Sequence, residues 1–193
     1  MKRTGRYATY LALAVLTAAA VAGGAGAVDS HRCKQLVSGG DEQSQINSGN
    51  REALDCLLWS AVSDADAAKT ALLLSKGANP NSYDETGVSL LARAVSKGDA
   101  AVVGALVNDS RVDVNAALNR EPAPTGSTAL HYAAGGCDLK ISQALLDKGA
   151  NINAVYKVWD RNGKMQKWTP LSIAERNGCD AGYLDFLKSK GAK

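Results

Sequence analysis

The side chains of this sequence best equipped for chemistry are four cysteines (Cys33, Cys56, Cys137, Cys179) and two histidines (His31, His131). Thiols and imidazoles together build zinc sites, thiol enzymes or, in an oxidising compartment, disulfides. Spacing narrows the choice. There is no Cys-x-x-Cys, and His31-x-Cys33 alone offers too few ligands for zinc, so neither a metal nor a cofactor is expected. A serine hydrolase would have to recruit His131 or His31 without any Gly-x-Ser-x-Gly turn to present the nucleophile. No phosphate-cradling Gly-x-x-x-x-Gly-Lys loop or dinucleotide fingerprint is present, and the carboxylates are scattered over polar stretches. The residues therefore point away from an enzyme and leave disulfide formation as the expected cysteine chemistry.

Recognition is the other chemistry on offer. The runs Val155-Tyr156-Lys157-Val158-Trp159-Asp160 and Lys164-Met165-Gln166-Lys167-Trp168 flank Arg161-Asn162-Gly163, and Asn-Gly between two β-prone runs is the strongest short hairpin signal. A two-residue turn pairing Arg161 with Lys164 sets Trp159 opposite Gln166 and Lys157 opposite Trp168. Lys157, Trp159 and Trp168 then share one face. This hairpin holds two of the three tryptophans of the chain, a residue type over-represented among those that carry binding energy. The competing reading has Trp168 packing back on the body of the protein and Trp159 bracing the hairpin.

Residues 1–27 have the form of a secretory leader. Lys2, Arg3 and Arg6 precede an apolar run from Leu11 to Val21 and then Ala25-Gly26-Ala27, with cleavage expected after Ala27. The run is too short for a comfortable membrane span, so no lasting anchor is expected after cleavage, and the product would be periplasmic or secreted. The leader holds three of the 22 Lys plus Arg and none of the 19 Asp plus Glu, which leaves the remainder charge-balanced. Long-range attraction to nucleic acid is then not expected. The remaining length suits a single domain.

What must position these side chains is a repeated helical unit. Residues 28–53 read as an N-terminal cap: a short amphipathic helix from His31 to Val37, an irregular polar stretch, and Asn50 as N-cap of a helix beginning at Arg51. From Leu54 onward, Leu57-Leu58-Trp59-Ser60-Ala61-Val62 aligns with Leu90-Leu91-Ala92-Arg93-Ala94-Val95, Ala129-Leu130-His131-Tyr132-Ala133-Ala134 and Pro170-Leu171-Ser172-Ile173-Ala174-Glu175. Intervals between Ala61, Ala94, Ala133 and Ala174 are 33, 39 and 41 residues. Second helices agree: Leu72-Leu73-Leu74-Ser75-Lys76-Gly77-Ala78-Asn79 matches Ala144-Leu145-Leu146-Asp147-Lys148-Gly149-Ala150-Asn151, and Phe186 to Ala192 is similar. Asn108-Asp109-Ser110-Arg111 replaces the Lys-Gly stop in the second unit.

The stretch Gly126-Ser127-Thr128-Ala129-Leu130-His131-Tyr132-Ala133-Ala134, with its glycine-rich turn, second helix and Lys148-Gly149 stop, resembles one ankyrin repeat, departing from the family pattern at Ala129 where proline is usual. The resemblance implies an all-α ankyrin-repeat solenoid of about four helix-turn-helix repeats, at 54–86, 87–125, 126–166 and 167–193, with β-hairpin loops between them. It also implies a structural His131, hydrogen-bonded to nearby backbone and to Thr128. In such a stack the turns carrying Cys137 and Cys179 line up, which favours Cys137 with Cys179 and leaves Cys33 with Cys56 to tie down the cap. Each closure is worth about 3 kcal/mol on chain-entropy grounds. The family binds proteins through its concave side and inter-repeat loops, so the expected partner is a protein and the free chain a monomer. The candidate contact residues are Tyr83 and Asp84 in the first loop, Arg120 in the second, and Tyr156, Lys157, Trp159, Arg161 and Trp168 in the third. By analogy, the role expected is an immunity-type inhibitor of a secreted effector such as a phospholipase, or else a stabilising partner of another envelope protein.

Overall fold

The computed structural model describes residues 27–38, 41–117, 126–160 and 162–193. The expected leader, apart from Ala27 at its end, lies outside the described residues, as do Arg120 and Arg161. The chain begins with a two-residue strand β1 (Ala27–Val28), followed by helices α1 (Ser30–Ser38) and α2 (Glu42–Ser48). Four helix pairs follow: α3 (Arg51–Ser63) with α4 (Ala67–Ser75), α5 (Leu90–Lys97) with α6 (Ala100–Asn108), α7 (Ala129–Gly135) with α8 (Leu139–Asp147), and α9 (Pro170–Arg176) with α10 (Ala181–Ser189). Between the pairs lie β2 (Tyr83–Asp84) and an antiparallel hairpin of β3 (Tyr156–Trp159) and β4 (Met165–Trp168). The fold is an all-α stack of four repeats, as the residue pattern implied.

Three of the four first helices open on a side-chain cap that accepts from the first turn. Asn50 accepts from the amides of Glu52 and Ala53, Ser89 from Ala92, and Thr169 from Ser172. Second helices open on Asp66, Asp99, Asp138 and Asp180, each accepting from an amide of the first turn. The polar stretch before Asn50 is not irregular. Asp41 caps α2 through Ser44, Gly49 closes it in a left-handed conformation, and Ile46 provides its one buried side chain, 4 % exposed. A helix so polar carries no apolar period to reveal it.

Ala61, Ala94, Ala133 and Ala174 are each at most 1 % exposed. Successive first helices pack on one another along this line, where a methyl side chain lets the backbones approach closely. One continuous apolar core joins the first three repeats, built on residues such as Leu57, Leu73, Leu91, Leu106, Leu130 and Ile141. The last repeat has its own smaller cluster around Ala134, Leu171, Ala174, Tyr183 and Leu187. Its attachment leans on polar and covalent links: the Ser142 and Tyr183 hydroxyls lie 2.6 Å apart, Asn177 Nδ2 donates to the Gly135 carbonyl at 2.8 Å, and Cys137 is bonded to Cys179 with Cα atoms 5.5 Å apart. Cys33 is bonded to Cys56, Cα atoms 5.3 Å apart, fastening α1 to α3. Helix α1 buries no side chain completely, and besides this bond it is held by the Arg32–Glu52 ion pair, by Val37 packed against the core and by Gln45 Nε2 donating to the Leu36 carbonyl. Both pairings match the expectation from repeat stacking.

A second set of links runs along the opposite edge. Asn81 donates through Nδ2 to the Arg111 carbonyl and accepts from the Asp113 amide, both at 2.7 Å. Asn115 does the same with Gly149 and Asn151 at 3.1 and 2.8 Å, and Asn153 with Gly191 and Lys193 at 3.0 and 2.9 Å. The exit loops of the second, third and fourth repeats are thus each held by the asparagine of the repeat before. The unusual end of the second repeat is explained here too. Arg111 reaches back 2.8 Å to the Leu74 carbonyl of the first repeat while paired with Asp109.

The turns within repeats share one more requirement. The residue four positions after each of the four aligned alanines has a positive φ: Ala65 at 59°, Gly98 at 74°, Cys137 at 54° and Gly178 at 72°. Two of these are glycines, for which the left-handed region is free of cost, and two are not. Ala65→Gly is therefore expected to raise stability by about 1 kcal/mol, measured by urea unfolding. The double variant Cys137→Ser/Cys179→Ser is expected to lose about 3 kcal/mol. Hydrogen exchange should show the loss first in α9 and α10, with α3 to α6 still protected.

Candidate protein-binding surface

The hairpin's register differs from the expectation by one residue. Tyr156 pairs with Trp168, Lys157 with Lys167, Val158 with Gln166 and Trp159 with Met165. The cause is Asp160. Its Oδ1 accepts from the amides of Asn162 and Lys164, both at 2.9 Å, and its Oδ2 from Gln166 Nε2 at 2.9 Å. These bonds hold Asp160 below the ordinary carboxylate range, led by the Gln166 and Lys164 bonds. They also draw the turn into a three-residue loop, in which Asp160 N donates to Lys164 O at 2.9 Å and Gly163 takes a φ of 71°. Asn-Gly supplies the left-handed residue, but the carboxylate before it sets the loop length.

A one-residue shift exchanges the faces. Trp159 and Trp168 are on opposite sides of the hairpin rather than together. Tyr156, Val158, Gln166 and Trp168 share the side toward the repeats. There Tyr156 meets the His131 ring edge-on at 6.2 Å, and the Arg176 guanidinium lies 4.7 Å over the Trp168 ring. On the other side stand Lys157, Trp159, Met165 and Lys167, with Trp159 53 % exposed and Met165 38 % exposed. Trp168 is thus a packing residue, and Trp159 is displayed.

His131 anchors this arrangement. The Thr128 amide donates to its Nδ1 at 3.1 Å, so the proton resides on Nε2, which donates to the Trp168 carbonyl at 3.2 Å. Burial is the main cause that pushes its pKa below the ordinary 6.5, against the opposing hydrogen bonds to Trp168 and Ala154. The family resemblance assigned His131 a structural part, and the geometry gives it one that spans two repeats. Trp59, at the matching position of the first repeat, donates from Nε1 to Ser82 Oγ at 2.8 Å, a bond within that repeat and its exit loop.

The first connection is also internally committed. Asp84 accepts from Thr86 Oγ1 and the Thr86 and Val88 amides, and pairs with Arg93 at 2.5 Å. Burial alone would raise its pKa, but these bonds outweigh it and hold the carboxyl low. Tyr83 is half-buried, and its hydroxyl is pushed up by burial first and by Asp113 second. Tyr83 and Asp84 pair in parallel with Ala27 and Val28 of β1. A cleft of about 600 Å³ opens between α5, α7, α9 and the hairpin, with Lys97, His131, Tyr132, Asp138, Tyr156 and Ile173 among its walls. Among the described residues, no group of three or more His, Cys, Asp or Glu side chains stands close enough to hold a metal ion.

Stacked helix pairs with displayed loops define a repeat scaffold, and the comparisons give it a family. The model of ankyrin repeats (3 copies) matches residues 57–156, just over half of the sequence, and the chain belongs to the ankyrin-repeat family. It is 30% identical over 124 residues to an ankyrin repeat protein, FPV014, of Fowlpox virus (strain NVSL). That match takes in 64% of this chain and 26% of the viral protein, so the chain spans about a quarter of that relative's length. Ankyrin repeats generally serve protein–protein interaction rather than catalysis, and a protein is the partner class this membership supports.

Because the folded His131 ring binds a proton less readily than the unfolded one, its stabilising contribution is present above the unfolded pKa of 6.5 and lost as pH falls toward the folded value. The urea midpoint is expected to fall between about pH 7.5 and about pH 5.5. His131→Gln should be weaker at the upper pH but lose much of this dependence.

Proposed function

We propose that this chain is an exported, non-catalytic inhibitor that occupies another protein, in its most concrete form an immunity protein neutralising a secreted antibacterial effector such as a phospholipase. The observation that carries the binding role is Trp159, a large aromatic side chain left 53 % exposed on a projecting hairpin whose other face is fixed by His131 and Arg176. A rigidly mounted aromatic loses little conformational entropy on binding, which is the condition for a high-energy contact. Export to the periplasm or beyond is supported by the basic-then-apolar leader and by two disulfides, which persist in oxidising compartments. The cleft walled by Tyr132 and Tyr156 offers a second contact area on the inner side of the same hairpin.

Affinity capture from envelope extract and from culture medium, with wild-type and Trp159→Ala protein side by side, tests this reading. One partner is expected with wild type, weakened more than about tenfold by the substitution, with the melting temperature nearly unchanged. A large fall in melting temperature with undiminished capture reverses the assignment and makes Trp159 a bracing residue. If the partner is an effector, cells lacking this chain should be killed by it. If it is an endogenous enzyme of the envelope, the role is assembly support instead.

A further inference from the structure

The dipeptide Asn-Gly occurs twice in this chain, both times within Arg-Asn-Gly: Arg161-Asn162-Gly163 at the hairpin tip and Arg176-Asn177-Gly178 in the turn after α9. An asparagine followed by glycine can react with its own backbone, because the glycine has no side chain to block the approach of its amide nitrogen to the asparagine side-chain carbonyl. Identical neighbours give the two sites closely similar intrinsic reactivity, so a large difference between them has to come from the fold.

The two surroundings differ at the side chain. Asn177 Nδ2, the leaving group of such a reaction, donates to the Gly135 carbonyl at 2.8 Å. Its backbone closes α9, with Asn177 N donating to Ile173 O, and Cys179 two residues on is buried and bonded to Cys137. Asn162 is exposed and is held in the loop by its backbone amide, which donates to Asp160 Oδ1 at 2.9 Å, while its side-chain amide has no partner among the described residues. The glycine amides do not separate the sites: Gly163 N donates to Asp160 O at 3.0 Å and Gly178 N to Glu175 O at 3.1 Å. A hairpin tip also opens at less cost than a turn clamped between a helix and a disulfide.

We infer that Asn162 is a self-modification site, at which the folded protein converts asparagine to isoaspartate and aspartate and thereby dismantles its own hairpin turn. The Gly163 nitrogen gives up its proton to water and bonds to Asn162 Cγ; the Cγ–Nδ2 bond breaks, and Nδ2 takes a proton from water and leaves as ammonia. Water then opens the cyclic imide at either carbonyl, so the net change is uptake of water and loss of ammonia. Opening at the main-chain carbonyl routes the backbone through the former side chain and adds a methylene ahead of Gly163. That draws the Lys164 amide away from Asp160 Oδ1 and the Gly163 amide away from Asp160 O. Either product also sets a second carboxylate beside Asp160, whose hydrogen bonds fix the loop length. This chemistry does not depend on the binding role proposed above; it adds a way for the mounting of Trp159 to change as the protein ages.

The test is peptide mapping by mass spectrometry of the folded, oxidised protein aged at mildly alkaline pH, with isoaspartate identified by enzymatic methylation. The Asn162 peptide should gain about 1 Da on conversion. Conversion there should be about tenfold faster than at Asn177, whose side-chain bond must break first. In urea with the disulfides reduced, the two sites should convert at similar rates. Equal rates in the folded protein overturn the inference, as does an Asn162 that stays intact. A tenfold difference that persists in urea belongs to the flanking sequence and overturns it too. Hydrogen exchange reads the structural consequence: the Lys164 amide should lose protection in aged wild type and keep it in Asn162→Gln aged alongside. Protection retained in the isoaspartate form overturns the dismantled turn. Partner capture is measured on fresh protein, so none of these results bears on it.

Discussion

A two-helix unit of this size cannot hide its own apolar face, so the distance between neighbouring units is the constraint on which everything else depends. It is set from two sides. Inside, Ala61, Ala94, Ala133 and Ala174 let first helices come close. Outside, Asn81, Asn115 and Asn153 each grip the backbone of the following exit loop through one donor and one acceptor. Methyl groups tolerate a range of spacings, whereas a two-point amide grip does not. The asparagines therefore convert loose apolar stacking into a defined pitch, and the connections that follow them start from defined places.

The repeats do not contribute equally. Three share a core, while the fourth is joined through a small cluster, a hydroxyl pair, an amide and the Cys137–Cys179 bond. The hairpin crosses this same junction, tied to the third repeat by His131 and to the fourth by Arg176. The displayed face of Trp159 is thus carried by the least apolar joint of the stack, and the covalent link beside it limits how far that joint can open.

Much of this was legible in the residues. The four alanines, the Lys-Gly stops and the even cysteines led to the repeats and to both pairings, because periodic burial and turn chemistry leave marks in one dimension. The hairpin faces did not follow. Asn162-Gly163 alone predicts a two-residue turn, and the lone Asp160 carboxylate, through three hydrogen bonds, lengthened it by one. Helix α2 went unseen because a helix held by Asp41 and Ile46 has no apolar stripe. The asparagine grips did leave a signal, the recurring Asn79-x-Asn81, Asp113-x-Asn115 and Asn151-x-Asn153, in which the first side chain accepts from the third residue's amide within its own repeat while the third side chain reaches the next repeat.

The division of the hairpin into two faces has a consequence for how such a protein changes over time. Because alternate residues serve opposite duties, the exposed positions 159, 165 and 167 carry little of the packing that the partly buried 156, 158, 166 and 168 provide. Exchanging these three outer residues is expected to leave the mounting intact. The scaffold can acquire a new target by drift at a few codons, with the framework beneath shielded from that selection.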